Sequence, residues 1–141
     1  MHMSDSKPSV EVWKEFHDNV ITHSAAHHLL AIAELVELRG YARVSDVARY
    51  LDITTGSAST NLKSLKQKGL VAEDENRFLV LSSDGKRLAE SILGRRHILR
   101  EFFISVLGVS EAQAEIDACK TEHLLSKETT DRMKGFIKKK T

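Results

Sequence analysis

Apolar residues recur at helical spacing along most of this chain, and short polar stretches with glycine or serine separate the apolar runs. The stretch AAHHLLAIAELVELR is predicted to form one helix, with Ser24 as its N-terminal cap and Gly40 as its stop. An earlier stretch after Pro8, VEVWKEFHDNVI, has the same spacing and predicts a helix that precedes it.

Two short segments with helical spacing follow, and a tight turn joins them. SDVARYLD begins at Ser45, a residue type that caps helices, and SASTNLKSLKQKGL ends at Gly69. Between them, ITTGS interrupts the helical pattern at Gly56. In LVAEDENRFLVL two apolar pieces flank a polar tip, which predicts a β-hairpin over residues 70–81. A helix-turn-helix followed directly by a hairpin indicates a winged helix.

The rest of the chain is predicted to be helical. One helix runs over about residues 83–107 and stops at Gly108, and a second begins after Ser110 and continues through AQAEIDACKTEHLL. Ser126 would cap a third helix, KETTDRMKGFI, before a basic tail. We therefore expect a mostly α fold in two domains. Residues 1–82 would form an N-terminal helix and a winged helix-turn-helix with a two-stranded wing, and residues 83–141 an α-helical domain.

Composition narrows the class of protein. The 141 residues include 21 basic and 20 acidic side chains, for a net charge of +1, so any nucleic-acid contact must come from local clustering of charge. A single cysteine excludes an internal disulfide and fits a reducing compartment. No apolar run approaches the roughly 18 residues that a membrane span needs. We expect a cytoplasmic protein with no membrane contact.

The second helix of the helix-turn-helix has short polar side chains at its entrance, the type that approaches base edges and phosphates. Lysines further along the helix fit contacts with the DNA backbone. The alternative is a winged helix that contacts only proteins, but such a helix would carry larger apolar residues at its entrance. The candidate DNA-binding residues are Thr54, Thr55, Ser57, Ser59, Thr60, Asn61, Lys63 and, at the wing tip, Arg77.

Three helices carry potential metal ligands. Cys119, Glu122 and His123 are spaced i, i+3 and i+4, which places them on one helix face, and Glu115 extends the same stripe. Two further i, i+4 pairs are His97 with Glu101 and His23 with His27. Thiolate, carboxylate and imidazole together suit a borderline divalent cation such as Fe²⁺, Co²⁺, Ni²⁺ or Zn²⁺. Each group also has a simpler interpretation: a lone cysteine is usually a small core residue, and single histidines such as His23 usually lie at the surface or at an interface.

Several stretches, in this order, resemble the diphtheria toxin repressor family of metal-dependent regulators, including its shorter manganese-regulator branch. They are GYARVSDVARYL, LKSLKQKGLV, LSSDGKRLAE, RRHILREFFISVLGV and ACKTEHLLS, and the resemblance covers roughly residues 25 to 130. It implies a homodimer with a helical dimerisation domain and without the SH3-like domain of longer members. It also implies that divalent metal, bound between the two domains, promotes repression at double-stranded DNA operators of metal-uptake genes.

The same resemblance implies two metal sites. The primary site would use His27, Cys119, Glu122 and His123, and the ancillary site His97, Glu101 and Glu115. This chain departs from the family pattern at some positions. At the position of His27 the iron-responsive members carry Met and the manganese-responsive members carry Asp, while Leu30 stands where the manganese branch has a second carboxylate. Fe²⁺ is therefore the first expectation for the ion, with Mn²⁺, Zn²⁺ and Co²⁺ as alternatives.

Two other classes of function remain open at this point. A winged-helix regulator could respond to an organic ligand or to oxidation of Cys119. A small zinc hydrolase is the second class, because C-x-x-E-H is similar to the H-x-x-E-H run of some zinc peptidases. No nucleophile or oxyanion-hole constellation accompanies that run, so we do not expect an enzyme.

Overall fold

The computed structural model describes residues 21–140, and the helix predicted in VEVWKEFHDNVI lies outside them. Six helices and one two-stranded sheet are present in this range, none of the helices being both long and apolar enough to cross a bilayer. The elements are α1 (His23–Arg39), α2 (Val44–Leu51), α3 (Thr55–Gln67), β1 (Val71–Glu73), β2 (Leu79–Leu81), α4 (Ser83–Ser105), α5 (Glu111–Thr121) and α6 (Lys127–Lys140). The predicted mostly α fold with a winged helix is confirmed.

Helix α1 begins two residues earlier than a cap at Ser24 would allow. Thr22 has the extended backbone of a cap residue, and its Oγ1 accepts a hydrogen bond from the Ala25 N–H at 3.1 Å. Ser24 therefore lies inside the first turn, and its assignment as the cap was wrong. Gly40 ends the helix as predicted: its φ of 85° is left-handed, and its N–H donates to the Val36 carbonyl at 2.8 Å.

The helix-turn-helix also begins its helices at residues other than those predicted. The Asp46 carboxylate accepts the Arg43 N–H at 2.9 Å, so α2 starts at Val44 and Ser45 is not the cap. Thr54 caps α3 by accepting the Ser57 N–H at 3.1 Å. Gly56 consequently lies within the first turn of α3 and does not interrupt it.

The wing is an antiparallel hairpin, as predicted, and in it Val71 pairs with Leu81. Its base is fastened to the start of α4. The Ser82 N–H donates to the Leu70 carbonyl at 3.0 Å, and the Ser82 hydroxyl accepts the Gly85 N–H at 3.0 Å. Gly85 packs so closely here that a Cβ atom would lie 2.1 Å from the Leu70 carbonyl oxygen. The winged helix and α4 are thus joined through backbone contact.

One apolar core unites α1, the helix-turn-helix, the wing and the first half of α4. Its fully buried large side chains are Leu29, Ile32, Val47, Leu62, Leu65 and Ile92. The second half of α4 buries Leu99, and α5, which packs against α4, buries Ala114 and Ala118. Since α4 has 23 residues, and is therefore about 34 Å long, it reaches both regions.

The C-terminal helices follow the prediction with shifted ends. Ser110 caps α5 and Ser126 caps α6, as expected, since their hydroxyls accept N–H groups at 3.3 and 3.2 Å. Helix α5 ends at Thr121, so the predicted helix through Leu125 was too long. Helix α6 continues through the lysines that were expected to form a separate tail.

Candidate metal centre and nucleic-acid interface

Helices α1 and α5 meet at a histidine and the single cysteine. His27 Nε2 lies 3.0 Å from Cys119 Sγ, although the two residues are far apart in sequence. His23, one turn before His27, places its ring centroid 4.3 Å from that of His27. Ligand atoms of His23, His27 and Cys119 all lie within 4.8 Å of one another, and no other group of three in the described range has this property. The structure therefore brings together two expected ligands and adds His23.

His123 borders this group. Its side chain is buried, and its ring centroid lies 5.0 Å from that of His23. Its Nδ1 atom is buried and has no hydrogen-bond partner within residues 21–140. Buried polar atoms in proteins are almost always satisfied, so an atom left in this state on a ring beside the His23 imidazole fits a metal site.

Glu122, the expected carboxylate ligand, has a different partner. It is fully buried, and Arg96 of α4 binds it with both Nε and Nη2, the latter at 2.8 Å. This is a bidentate charge-assisted pair, the strongest arrangement available to an arginine and a carboxylate. Glu122 is not in the group of mutually close donors. Its assignment as a metal ligand stays a prediction.

Burial favours the uncharged forms of the metal-site side chains. It lowers the pKa of His27 and of His123, and the neighbouring His23 lowers both further. Burial also raises the pKa of the Cys119 thiol, with a further contribution from the negative charge of Glu122. The imidazoles are thus ready to bind a cation in their neutral form, whereas the thiol would release a proton on binding it.

The expected ancillary ligands have partners within the protein. Arg100 donates to Glu115 at 2.8 Å, and Ser105 donates to Glu101 at 2.8 Å, while His97 is exposed on α4. They do not form a group of three close ligand atoms in the described part of the chain. A metal site at these residues stays a prediction.

A cleft of about 490 Å³ gives access to the metal group. It lies between α1, α2 and α5, and its walls include His23, His27, Tyr50, Arg96 and Cys119. Tyr50 donates a hydrogen bond to Glu34 at its edge. An ion from solvent could reach the donors through this cleft.

Six of the eight predicted DNA-contacting residues lie in α3, with Thr54 at its N-terminal cap and Arg77 in the wing turn. Thr55, Ser57 and Ser59 are exposed. The Thr60 hydroxyl donates to the Gly56 carbonyl at 3.1 Å, and the Asn61 amide donates to the Ser57 carbonyl at 3.1 Å, so both are held against the helix. The remaining candidates, Thr54, Lys63 and Arg77, are also exposed.

A second cleft, also of about 490 Å³, lies between α3 and the wing, and basic and polar groups line it. Acidic residues at the wing tip would repel phosphate, but two of them are engaged. Glu73 accepts from Lys66, and the Asp74 carboxylate accepts the N–H groups of Asn76 and Phe78 at 2.8 and 2.9 Å. The cleft lining includes Arg43, Thr55, Ser59, Lys66 and Arg77. Arg43 was absent from the predicted set, although its position directly before α2 brings it to this cleft.

Comparison with known families explains why these two sites lie in one chain. Residues 21–77 match the MarR family, and residues 82–141 match the metal binding and dimerisation domain of iron dependent repressors. The two matches, in this order, support the similarity to the diphtheria toxin repressor family. The resemblance seen in the sequence is confirmed.

Solved structures share the fold. The manganese regulator SloR has a TM-score of 0.74 and 22% identity over 84% of this chain and 55% of its own. The IdeR protein of T. acidophilum has a TM-score of 0.61 and 27% identity over 77% of this chain and 51% of its own. A hypothetical protein from Sulfolobus solfataricus, with 18% identity and a TM-score of 0.69, is covered over 91% of its length. This chain spans about half the length of SloR and IdeR.

Proposed function

We propose that this chain is a cytoplasmic, homodimeric transcriptional regulator that binds double-stranded DNA when it holds a divalent transition metal, and that it represses metal-uptake genes. The observation that carries the proposal is the 3.0 Å contact between His27 and Cys119. It joins a helix of the winged-helix core to a helix of the metal-binding and dimerisation domain.

The position of the metal group explains how an ion would control DNA binding. Helix α1 carries Leu29 and Ile32 into the core of the winged helix, while α5 packs against α4. A bound cation would supply a strong electrostatic attraction for donors from both α1 and α5. His27 and Cys119 would then hold the winged helix in one orientation relative to the dimer axis. The ion can shift this equilibrium only by binding the DNA-competent orientation more tightly.

Two copies would place two recognition helices against one operator. Exposed apolar side chains in the C-terminal region, Leu93 and Phe136 on helices and Leu107 in the turn after α4, support contact with a second copy. Dimeric helix-turn-helix proteins contact half-sites about one helical turn apart. Exposed residues of α3, including Lys63, would face the DNA, as would Arg77 in the wing. The thiolate and imidazole donors fit Fe²⁺ or Zn²⁺ better than Mn²⁺.

The test begins by selecting a duplex from a random-sequence pool with metal-loaded protein under anaerobic conditions. Binding to that duplex is then titrated with Fe²⁺, Mn²⁺, Zn²⁺ and a chelator. We expect Cys119→Ala and His123→Ala to lose most of the metal dependence, because each removes a donor. Gln113→Ala, on an exposed part of α5, is the matched control and should behave as wild type.

Equal binding with and without chelator would contradict the proposal. Metal analysis of the anaerobically purified protein distinguishes a metal-dependent regulator from a regulator that responds to another signal. A protein that neither contains nor takes up a divalent ion, yet binds the selected duplex, would instead be a regulator that responds to an organic ligand or to thiol oxidation.

A further inference from the structure

We propose that the metal is held by His23, His27, Cys119 and His123, and that Glu122 remains bound to Arg96 and is not a ligand. This inference rests on the proposed function only in taking this cluster as a metal centre. It changes the chemical class of the site, because a carboxylate is replaced by a third imidazole.

His23 meets a geometric requirement that neither Glu122 nor His123 meets, although the free Nδ1 of His123 still makes it a ligand candidate. His23 is the first residue of α1, and one turn of helix separates it from His27 on the same face. Its ligand atom lies within 4.8 Å of those of both His27 and Cys119. Its ring also lies 5.0 Å from the ring of His123, whose buried Nδ1 has no partner within the described range. His23 thus touches every other member of the proposed set or lies beside it.

Glu122 already forms an ion pair with a cationic side chain of the protein, Arg96. The carboxylate is fully buried, and the guanidinium of Arg96 occupies both of its oxygens. Glu122 could ligate a metal only through the lone pairs that Arg96 leaves free, and this would bring a divalent cation close to the guanidinium. Two positive groups would then share one buried carboxylate beside a partly buried arginine, which is costly in a protein interior. The three imidazoles and the thiol, by contrast, can bind an ion without sharing a ligand atom with a guanidinium.

The resulting donor set selects a class of metal. Three imidazole nitrogens and one thiolate make a four-ligand set of the kind that Zn²⁺ prefers and that Co²⁺ can replace. Mn²⁺ prefers carboxylate, carbonyl and water oxygens. Affinity order alone does not identify the ligands, since most sites bind Zn²⁺ more tightly than Mn²⁺. Spectroscopy of the bound ion does.

The experiment titrates the full chain with Co²⁺ under anaerobic, reducing conditions and records the absorption spectrum, without DNA. We expect a thiolate-to-cobalt charge-transfer band and the intense visible bands of four-coordinate Co²⁺, both removed by one equivalent of Zn²⁺. His23→Ala should lower Co²⁺ affinity about tenfold or more and weaken the visible bands. His23 is exposed, so this variant should fold normally.

Two further variants complete the test. Glu122→Gln should keep the wild-type cobalt spectrum, because the amide can still accept from Arg96 and the ligands are unchanged. His97→Ala removes an exposed imidazole outside the cluster and is the matched control; it should leave the charge-transfer band unchanged. A wild-type spectrum and affinity in His23→Ala would overturn the inference even if Glu122→Gln failed to fold. So would loss of the cobalt bands in a folded Glu122→Gln variant.

The result is independent of the DNA experiment. Metal-independent DNA binding would refute the proposed function and leave this ligand set standing. A cobalt spectrum that depends on Glu122 and not on His23 would refute the ligand set while leaving metal-dependent regulation intact.

Discussion

Replacing Gly85 with alanine tests how tightly the wing is fastened to α4. The new Cβ would lie 2.1 Å from the Leu70 carbonyl oxygen and 3.1 Å from its carbonyl carbon. The first distance is more than about 1 Å short of ordinary van der Waals contact. The obstacle is backbone that already accepts the Ser82 N–H, so it cannot rotate away as a side chain would. Relief requires the base of the wing to move away from α4.

The change in the free energy of unfolding caused by Gly85→Ala is the sum of two opposing effects. Overpacking against a fixed neighbour costs about 1–3 kcal/mol, and the immovable carbonyl places Gly85→Ala near the upper end. Replacing glycine by alanine within a helix stabilises the protein by at most about 1 kcal/mol, because alanine has the higher helix propensity. A net loss of about 2 kcal/mol should lower Tm by roughly 5–8 °C for a chain of this size.

Gly94→Ala is the matched control, because Gly94 lies in the same helix and a Cβ there meets nothing within 4 Å. It should gain up to about 1 kcal/mol and raise Tm by a few degrees. Thermal unfolding followed by circular dichroism, with all variants at one protein concentration, measures both changes. If the two substitutions shift Tm in the same direction by similar amounts, the close packing at Gly85 does not restrain the wing.

Three further predictions concern the core, the α2 cap and the DNA-contacting surface. Leu99→Ala should destabilise the protein by about 2–5 kcal/mol in denaturant titrations, because it empties a fully buried position; a loss below about 1 kcal/mol would mean that the site collapses. Burial opposes ionisation of Asp46, but hydrogen bonds from Arg39 and the Arg43 N–H outweigh it and lower the pKa of its carboxyl group. This group therefore contributes stability that is complete above its ordinary pKa of about 3.9 and is lost as the pH falls through the lowered value; the stability difference between wild type and Asp46→Ala should shrink in that acidic window, and a difference constant with pH would contradict the assignment. Lys63→Ala should weaken binding to the selected duplex and to random DNA alike and reduce the salt slope by about 1 per recognition helix; an unchanged slope removes Lys63 from the phosphate contacts.

Local patterns in the sequence predict most of the fold. The stops at Gly40, Gly69 and Gly108 are found where expected, and all three glycines have positive φ values. The caps were harder to predict, because several residues near each helix start can serve. Thr22 and Ser24 are both suitable cap types, and only the backbone conformation distinguishes them.

The metal group was only partly predictable, because its membership depends on packing between distant segments. The i, i+4 spacing of His23 and His27 was visible, but nothing in it shows that both face Cys119. The pairing of Arg96 with Glu122 joins residues 26 positions apart. A sequence motif that contains a glutamate gives no sign that an arginine on another helix already binds it. The role of the acidic wing tip was also hidden in the sequence. The Asp74 carboxylate accepts backbone N–H groups only because its own turn folds in this way.

The reach of α4 has a consequence for how this protein denatures. Ile92 is buried in the core of the winged helix, whereas Leu99, two turns further along α4, is buried outside that core. Melting either half would fray the other, so heat or urea should produce a single cooperative transition at all probes, and limited proteolysis should not release a stable N-terminal fragment that ends near residue 82.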